Sequence, residues 1–443
     1  MFKTNSKLVE KGDTFVALRG VNNDGHNYIE EAIKNGATKV VVEEGFYSVK
    51  TLKVDNTHDY LVNELDKMYG KDIKKLKLIG VTGTNGKTTT CFLCHEYLNK
   101  HGKKCGYIGT IGFYINDFIR PLSNTTPDVL EIYNMLLECI KENCEYVVME
   151  VSSHSLSYNR LGNLMFDYVV FTNLTEEHLD YHKTMKNYAL DKQKLFYKLK
   201  NNGCALINVD DEYSKYFILE HNNNITYGKG NCDYKINSIK MNSKETSFYL
   251  NDNLYKMNLL GEYNVYNMSV VIILMSKIFN DFIDVSKLNA PVGRLETIYD
   301  NDRVIMIDYA HTPDAVEKVL NNVKSIASGR IITIIGCGGD RDKYKRPIMG
   351  KIASELSDVC IFTSDNPRNE NPMNIINDML EGITKNNVKV EESRREALNM
   401  GLHICKKNDI LLVLGKGHEN YQIIGNKKYS FNDKKIIEEI IGR

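Results

Sequence analysis

The run "KLKLIGVTGTNGKTTTCF", residues 75–92, constrains the fold more than any other stretch of the chain. A β-rich segment ends in a glycine loop, and a helix-forming segment starts directly after it. Such a loop can cradle phosphate. Its backbone N–H groups point inward, glycines permit that path, a lysine meets the β/γ oxygens and a hydroxyl faces Mg²⁺. Gly83 and Gly86 supply the turns, Lys87 the cation and Thr88 the hydroxyl, with Thr84, Asn85 and Thr89 completing the loop. The consensus G-x-x-x-x-G-K-[ST] would put its first glycine at 81, and that position is Val81. Strand, loop and helix stand in the required order, so the departure argues for a variant loop and not for an incidental glycine turn. A strand feeding a helix through such a loop belongs to an α/β fold with parallel strands.

At 443 residues the chain exceeds one ordinary core, and two or three domains are expected. Its 57 basic and 57 acidic residues balance, which removes any bulk electrostatic case for nucleic acid or an anionic membrane. No apolar run reaches the length of a membrane span, and the N-terminus lacks a signal-peptide pattern, so a cytoplasmic protein without membrane insertion is expected. The ten cysteines are scattered without a paired framework. "CFLC" (Cys91, Cys94) falls inside the helix after the loop and reads as packed thiols.

Residues 1–75 read as a small α/β unit, with "DTFVAL" and "TKVVVEE" as strands around the helical "GHNYIEEAIKNGA", and the lysine-rich "YGKDIKKLK" as a linker. Residues 76–291 repeat strand, loop and helix: "KLIGVTG", "YVVMEVSS", "YVVFTNL" and "CALINVD" are short β-rich runs ending in polar or glycine residues. Residues 232–260 alternate and read as an antiparallel excursion. Residues 292–443 carry a second series, "RVIMIDYAH", "RIITIIGCGG", "VCIFTSDNPR" and "DILLVLGKGHE", again apolar strands ending in polar clusters where ligands bind in open α/β sheets. "GCGGDRD" is a weak match to a dinucleotide fingerprint. Its third position is Arg341, which suits an anionic ligand group instead.

Read together, "TGTNGKTT", "NTTPD", "MEVSSHSL", "FTNLTEEHLDYH", "GEYNVYN", "GRLE", "DYAHTPD", "GCGGDRDKYKRPIMG", "DNPRNENP" and "GKGHENYQ" resemble the Mur ligase family, in family order and over nearly the whole chain. The resemblance implies three domains: a small N-terminal α/β domain binding UDP-linked substrate, a central P-loop ATPase domain with a mainly parallel sheet, and a C-terminal Rossmann-like α/β domain binding the amino acid. It implies an ATP-dependent ligase of peptidoglycan precursor synthesis, and so of cell-wall biogenesis, cell shape and cell division. Within the family the set looks like members that add the third residue to UDP-N-acetylmuramoyl-L-alanyl-D-glutamate. "DNPR" resembles the version that takes meso-2,6-diaminopimelate.

Residue by residue, the resemblance makes Lys87, Glu150, His178 and Lys192 catalytic, with Thr88, Glu150, His178 and Lys192 on the Mg²⁺ side. Lys192 is implied to be carbamylated (N6-carboxylysine). ATP falls to residues 83–89 with Asn124, Asn264, Asn267, Arg294, Asp308 and His311. The UDP-muramoyl-dipeptide falls to Ser6, Val21, Asn22, Asn23, Thr125, Thr126, Ser152, Tyr158 and Arg160. The diamino acid falls to Arg341, Asp365, Asn366, Pro367, Arg368, Gly415 and Glu419. A monomer is expected.

The residue types suit the chemistry. Phosphoryl transfer is mostly positioning and charge neutralisation. An arginine can pair bidentately with a ligand carboxylate, and Arg368 would be left unpaired beside lysine, which lacks the second carboxylate. The chain also departs from the family pattern. "TNSK" stands where an Asp-Ser-Arg triplet is usual, changing positions Asn5 and Lys7, and Glu177 stands for an Asp. L-lysine or another diamino acid, or a modified carrier, therefore stay open as alternatives. A folylpolyglutamate synthetase-like ligase and a non-catalytic P-loop module are the other readings. The first is opposed by "DNPRNENP", the second by the complete set of Lys87, Thr88, Glu150, His178 and Lys192.

Overall fold

The computed structural model describes every residue except Val21, Asn22, Ser243, Lys244, Asn301 and Arg443. The chain divides into two compact units, Met1–Thr226 and Tyr227–Arg443.

The first unit opens with a parallel sheet in the order Phe2–Lys3, Thr14–Val16, Lys39–Val42, Lys50–Lys53. The stretch expected to be a linker is not one. Tyr69–Ile73 is the last turn of a helix over Thr57–Ile73, and the strand Lys77–Thr82 follows four residues later. The reason lies upstream of the lysines. Asn56 caps the helix by accepting from Asp59 N, and Leu61, Val62, Leu65 and Ile73 bury one face. Those residues share a core with Val16 and Val41 on one side and Leu78, Ile132 and Leu136 on the other.

The second sheet of this unit runs Leu199–Asn208, Phe166–Phe171, Lys77–Thr82, Tyr146–Glu150, Cys105–Gly109, all parallel, then Gly112–Ile115 and Asp117–Arg120, antiparallel. Lys77–Thr82 lies centrally and is buried beyond its first residue. That matches its continuous apolar run, as expected of a strand covered on both faces. The helix Lys87–Lys100 leaves its C-terminal end through Gly86, whose φ of 85° only glycine adopts readily. Cys91 and Cys94 are buried on this helix as free thiols, and burial raises both.

In the second unit, Tyr234–Met241, Thr246–Leu250 and Asn253–Met257 form the expected antiparallel segment, and Glu262–Phe279 the expected apolar helix. The last large sheet runs Glu296–Asp300, Arg303–Asp308, Ile410–Leu414, Ile331–Ile335, Val359–Phe362, Val388–Val390. Its first strand is antiparallel and the others are parallel. All four strands read from the sequence are present. Among the described residues, no helix is long and apolar enough to cross a membrane.

Candidate functional site

In the first unit the phosphate loop is clamped from outside. Thr84 N donates to Asn173 O (2.8 Å), and Asn85 N to Asn173 Oδ1 (3.0 Å). The segment "FTNLTEE" is thus the wall on which the loop rests. Gly83 has φ +148°, and a Cβ there would stand 1.9 Å from Thr172 Oγ1, so this position requires glycine. Gly86 precedes the helix without a side chain, so a ligand can approach the backbone closely at the N-terminal end of Lys87–Lys100.

Thr88 Oγ1 donates to Glu150 Oε2 at 2.9 Å. Glu150 is fully buried, and its carboxylate also accepts from Tyr107 OH, Thr110 N (2.9 Å) and Thr110 Oγ1 (3.1 Å). Burial first, then the Glu150 charge, push the Tyr107 phenol well up, so it stays a donor. A hydroxyl and a carboxylate held side by side are a hard-oxygen donor set of the kind Mg²⁺ takes.

Lys87 Nζ donates to Gly83 O (2.9 Å) and Thr84 O (2.8 Å), and Lys192 Nζ donates to the same Gly83 O at 2.8 Å. Lys192 is 1% exposed and lies over the Tyr188 ring, 4.5 Å from its centroid. Burial, then the Lys87 cation, push this amine well below the ordinary lysine range, against the weaker pull of Glu177 and Asp191. Two lysine amines on one carbonyl cannot both carry a proton cheaply.

His178 starts the helix Leu179–His182 with φ 57° and is half exposed. Its ring meets those of His154 (4.8 Å) and Tyr188 (6.4 Å). Thr88 and Glu150 are therefore bonded directly, Lys87 and Lys192 meet through Gly83, and His178 joins Lys192 through Tyr188.

Sequence reading missed a buried chain beneath these groups. Ser153 Oγ lies 2.9 Å from His182 Nε2, and His182 Nδ1 lies 2.8 Å from Asp191 Oδ2, next to Lys192. Burial lowers His182 against the pull of Asp191, which favours a neutral ring with Nδ1–H toward the carboxylate. The signal was available in "SSH" and "DYH", but only the fold brings these residues together.

The dipeptide-side residues lie beside Glu150. Thr126 Oγ1 donates to Glu150 O (2.8 Å) and accepts from Ser152 N (3.0 Å); Thr125 Oγ1 meets Thr110 Oγ1 (3.1 Å). Arg160 NH1 donates to Thr126 O (3.0 Å), and its guanidinium lies 6.0 Å from the Tyr158 ring. Asn124 is exposed. In the N-terminal sheet region Ser6 is buried and donates to Glu31, and Asn23 O accepts from Gly20 N. Val21 and Asn22 lie outside the described residues.

In the second unit Asp308 is buried at a strand end, accepting from Leu295 N (2.7 Å) and Ala310 N (2.8 Å); burial raises it despite Arg294. Arg294 lies over Tyr309, and His311 Nδ1 lies 2.8 Å from Tyr309 O. Asn267 Nδ2 donates to Asn264 Oδ1 (3.0 Å) within the helix Glu262–Phe279.

The "DNPR" loop follows the strand Val359–Phe362. Asp365 Oδ2 is buried without a hydrogen-bond partner, 3.9 Å from the Arg394 guanidinium. Such an orphan is expensive and invites a ligand donor. Asn366 Nδ2 donates to Glu419 Oε2 (2.8 Å). Arg368, at φ 51°, donates to Gly339 O (2.8 Å), and Pro367 O lies against Gly339. Arg341 is exposed beside Gly338. Gly415 (φ 109°) turns the chain next to Asp365.

Three family descriptions match in succession: "Mur ligase family, catalytic domain" over residues 1–69, "Mur ligase middle domain" over 81–275, and "Mur ligase, glutamate ligase domain" over 293–417. The chain is 41% identical to the UDP-N-acetylmuramoyl-L-alanyl-D-glutamate--2,6-diaminopimelate ligase of Clostridium botulinum, over 98% of this chain and 94% of that protein. The chain belongs to the Mur ligase family. Its fold is the three-domain Mur ligase fold, mixed α/β with mostly parallel sheets. A solved structure of a UDP-N-acetylmuramoyl-L-alanyl-D-glutamate--2,6-diaminopimelate ligase superposes with TM-score 0.71 at 32% identity, over all of this Mur ligase and 94% of that chain. A folylpolyglutamate synthase from Mycobacterium tuberculosis, complexed with ADP and AMPPCP, matches with TM-score 0.66 over 87% of this chain and 95% of its own. At 14% identity that likeness is one of fold alone.

Proposed function

We propose that this Mur ligase is an ATP-dependent acid–amino-acid ligase that adds meso-2,6-diaminopimelate to UDP-N-acetylmuramoyl-L-alanyl-D-glutamate in peptidoglycan precursor synthesis. The similarity of 41% over nearly the full length supports the reaction, and the "DNPR" loop with its orphaned Asp365 oxygen supports the amine. The domains we assign are 1–75 for the UDP-linked substrate, 76–291 for ATP and 292–443 for the amino acid. We take the enzyme to be a cytoplasmic monomer.

The chemistry follows from the side chains. The glutamyl carboxylate oxygen attacks the γ-phosphorus of ATP, the bond to ADP breaks, and an acyl phosphate forms. The neutral amine then attacks the acyl carbon, a proton leaves the nitrogen, and phosphate departs with the former carboxylate oxygen. Lys87 and the backbone N–H groups at the start of Lys87–Lys100 hold phosphate oxygens. Thr88 and Glu150 would hold Mg²⁺, with His178 and Lys192 on a second cation, and the metal's part is to neutralise the developing phosphate charge. Arg160 and Ser152 serve the dipeptide. Asp308, His311, Arg294, Asn264 and Asn267 serve the nucleotide.

Lys192 is the residue whose environment decides most. A neutral buried amine can add to CO₂, losing one proton and gaining a carboxylate. That conversion would replace repulsion from Lys87 with attraction, and the fit of a carbamate here rests on this charge argument.

Phosphate release tests the function. With UDP-N-acetylmuramoyl-L-alanyl-D-glutamate and ATP, release is expected to depend on an added diamino acid and to be fastest with meso-diaminopimelate among that compound, L-lysine, lanthionine and ornithine. No release with any of them would sink the proposal. Faster release with L-lysine would leave the ligase and remove the diaminopimelate assignment.

A further inference from the structure

The sequence pattern singled out Gly415 and Glu419 in "GKGHE" but not the lysine between them. Lys416 is fully buried. Glycines with left-handed φ, Gly415 at 109° and Gly417 at 50°, flank it, and a Cβ on either would crowd Asp365 Oδ2 or Tyr309. This tight turn drives the Lys416 side chain inward. Its Nζ donates to Asn366 Oδ1 (3.1 Å) and to Glu419 Oε2 (3.2 Å). Asn366 Oδ1 also accepts from Ile423 N (2.9 Å), so the amide is fixed with its nitrogen toward Glu419. The Tyr421 hydroxyl bonds the same carboxylate.

The charges around this hub balance. Lys416 faces Glu419, buried Arg394 pairs with buried Asp433 (2.7 Å) and lies 3.9 Å from Asp365, and the opposite charges of Arg368 and Asp365 both act on Tyr421. Removing one buried cation from such a set leaves an uncompensated carboxylate. The surplus negative charge would then attract a bare ammonium as well as an ammonium accompanied by a carboxylate.

We propose that Lys416 is a positioning residue for amino-acid specificity. It holds Asn366 and Glu419 in place and cancels one acidic charge, so that the subsite reads a zwitterionic end, ammonium plus carboxylate, and rejects a bare ammonium. This rests on the ligase reading above. It assigns discrimination to a residue that need not touch the ligand, in addition to Arg368.

The test compares kcat and KM of the full-length protein for meso-diaminopimelate, L-lysine and ATP in the wild type, Lys416→Met and Lys416→Gln. Both variants are expected to raise KM for diaminopimelate by about tenfold or more, and to shift the diaminopimelate-to-lysine ratio of kcat/KM toward lysine by about tenfold. KM for ATP is expected to stay within about twofold, a split that general loosening of the fold would not give. An unchanged ratio, or equal losses for ATP and amino acid, overturns the proposal. If Lys416→Met does not fold, Lys416→Gln decides, because it keeps a donor without the charge. Wild-type inactivity with every diamino acid overturns the ligase reading and this one together; wild-type activity with an unchanged ratio overturns this one alone.

Discussion

Lys192 and Lys416 are buried to almost the same degree, 1% and 0% exposed, yet the fold gives them opposite company. Lys192 meets a backbone carbonyl that a second lysine already uses. Lys416 meets a carboxylate and the oxygen of an amide. Burial alone therefore does not decide what a lysine does. Beside Lys87, burial pushes Lys192 well below the ordinary range, the condition that the proposed carbamate needs. Beside Glu419, Lys416 is half of an ion pair.

Removing the Lys192 amine should cost the most. Lys192→Ala should lower kcat by about 10³-fold, the scale of a lost charge-stabilising group, with partial rescue by added acetate or formate. Full activity without rescue would refute the carbamate reading. Next comes a direct contrast. Wild type and Lys416→Met in ¹³C-bicarbonate should each give one carbamate resonance that Lys192→Ala lacks. A resonance that survives in Lys192→Ala would place the modification elsewhere.

Arg368→Ala bears on the amino-acid side. It should raise KM for diaminopimelate by about 10²-fold with little change for ATP, since a charged partner of the ligand carboxylate is lost. Equal losses for both substrates would contradict the assigned role. The last prediction concerns His95, a buried base on which burial outweighs the backbone hydrogen bonds and the Asp117 charge that oppose it. Burial pushes His95 down to about 4, so between pH 6.5 and 4 the folded state binds fewer protons than the unfolded chain. Stability should fall as pH falls through that window, by about 3 kcal/mol at most. His95→Gln should flatten the urea-unfolding profile there; an unchanged slope would remove His95 as its source.

Much of this was legible in the sequence because the family motifs are contiguous. The loop at 83–89, the strand ends at Glu150 and Asp308, and the turn at Asp365–Arg368 each sit where a β run gives way to polar residues. Periodicity located those boundaries. It failed at "YGKDIKKLK", where lysines suggested a linker although the buried face of Thr57–Ile73 runs on to Ile73. It could not reveal contacts between distant segments: Tyr107 and Thr110 on Glu150, Ser153 with His182, or Lys416 with Asn366. In each pair neither residue type is unusual, and only the parallel sheets bring the strand ends together.

The proposed ligase reaction requires the substrate's glutamyl carboxylate to be activated as an acyl phosphate. Labelling that carboxylate with ¹⁸O and analysing the released phosphate by mass spectrometry tests it most directly. One ¹⁸O atom should appear in the phosphate, with the other retained in the new amide. Unlabelled phosphate alongside amide product would contradict it.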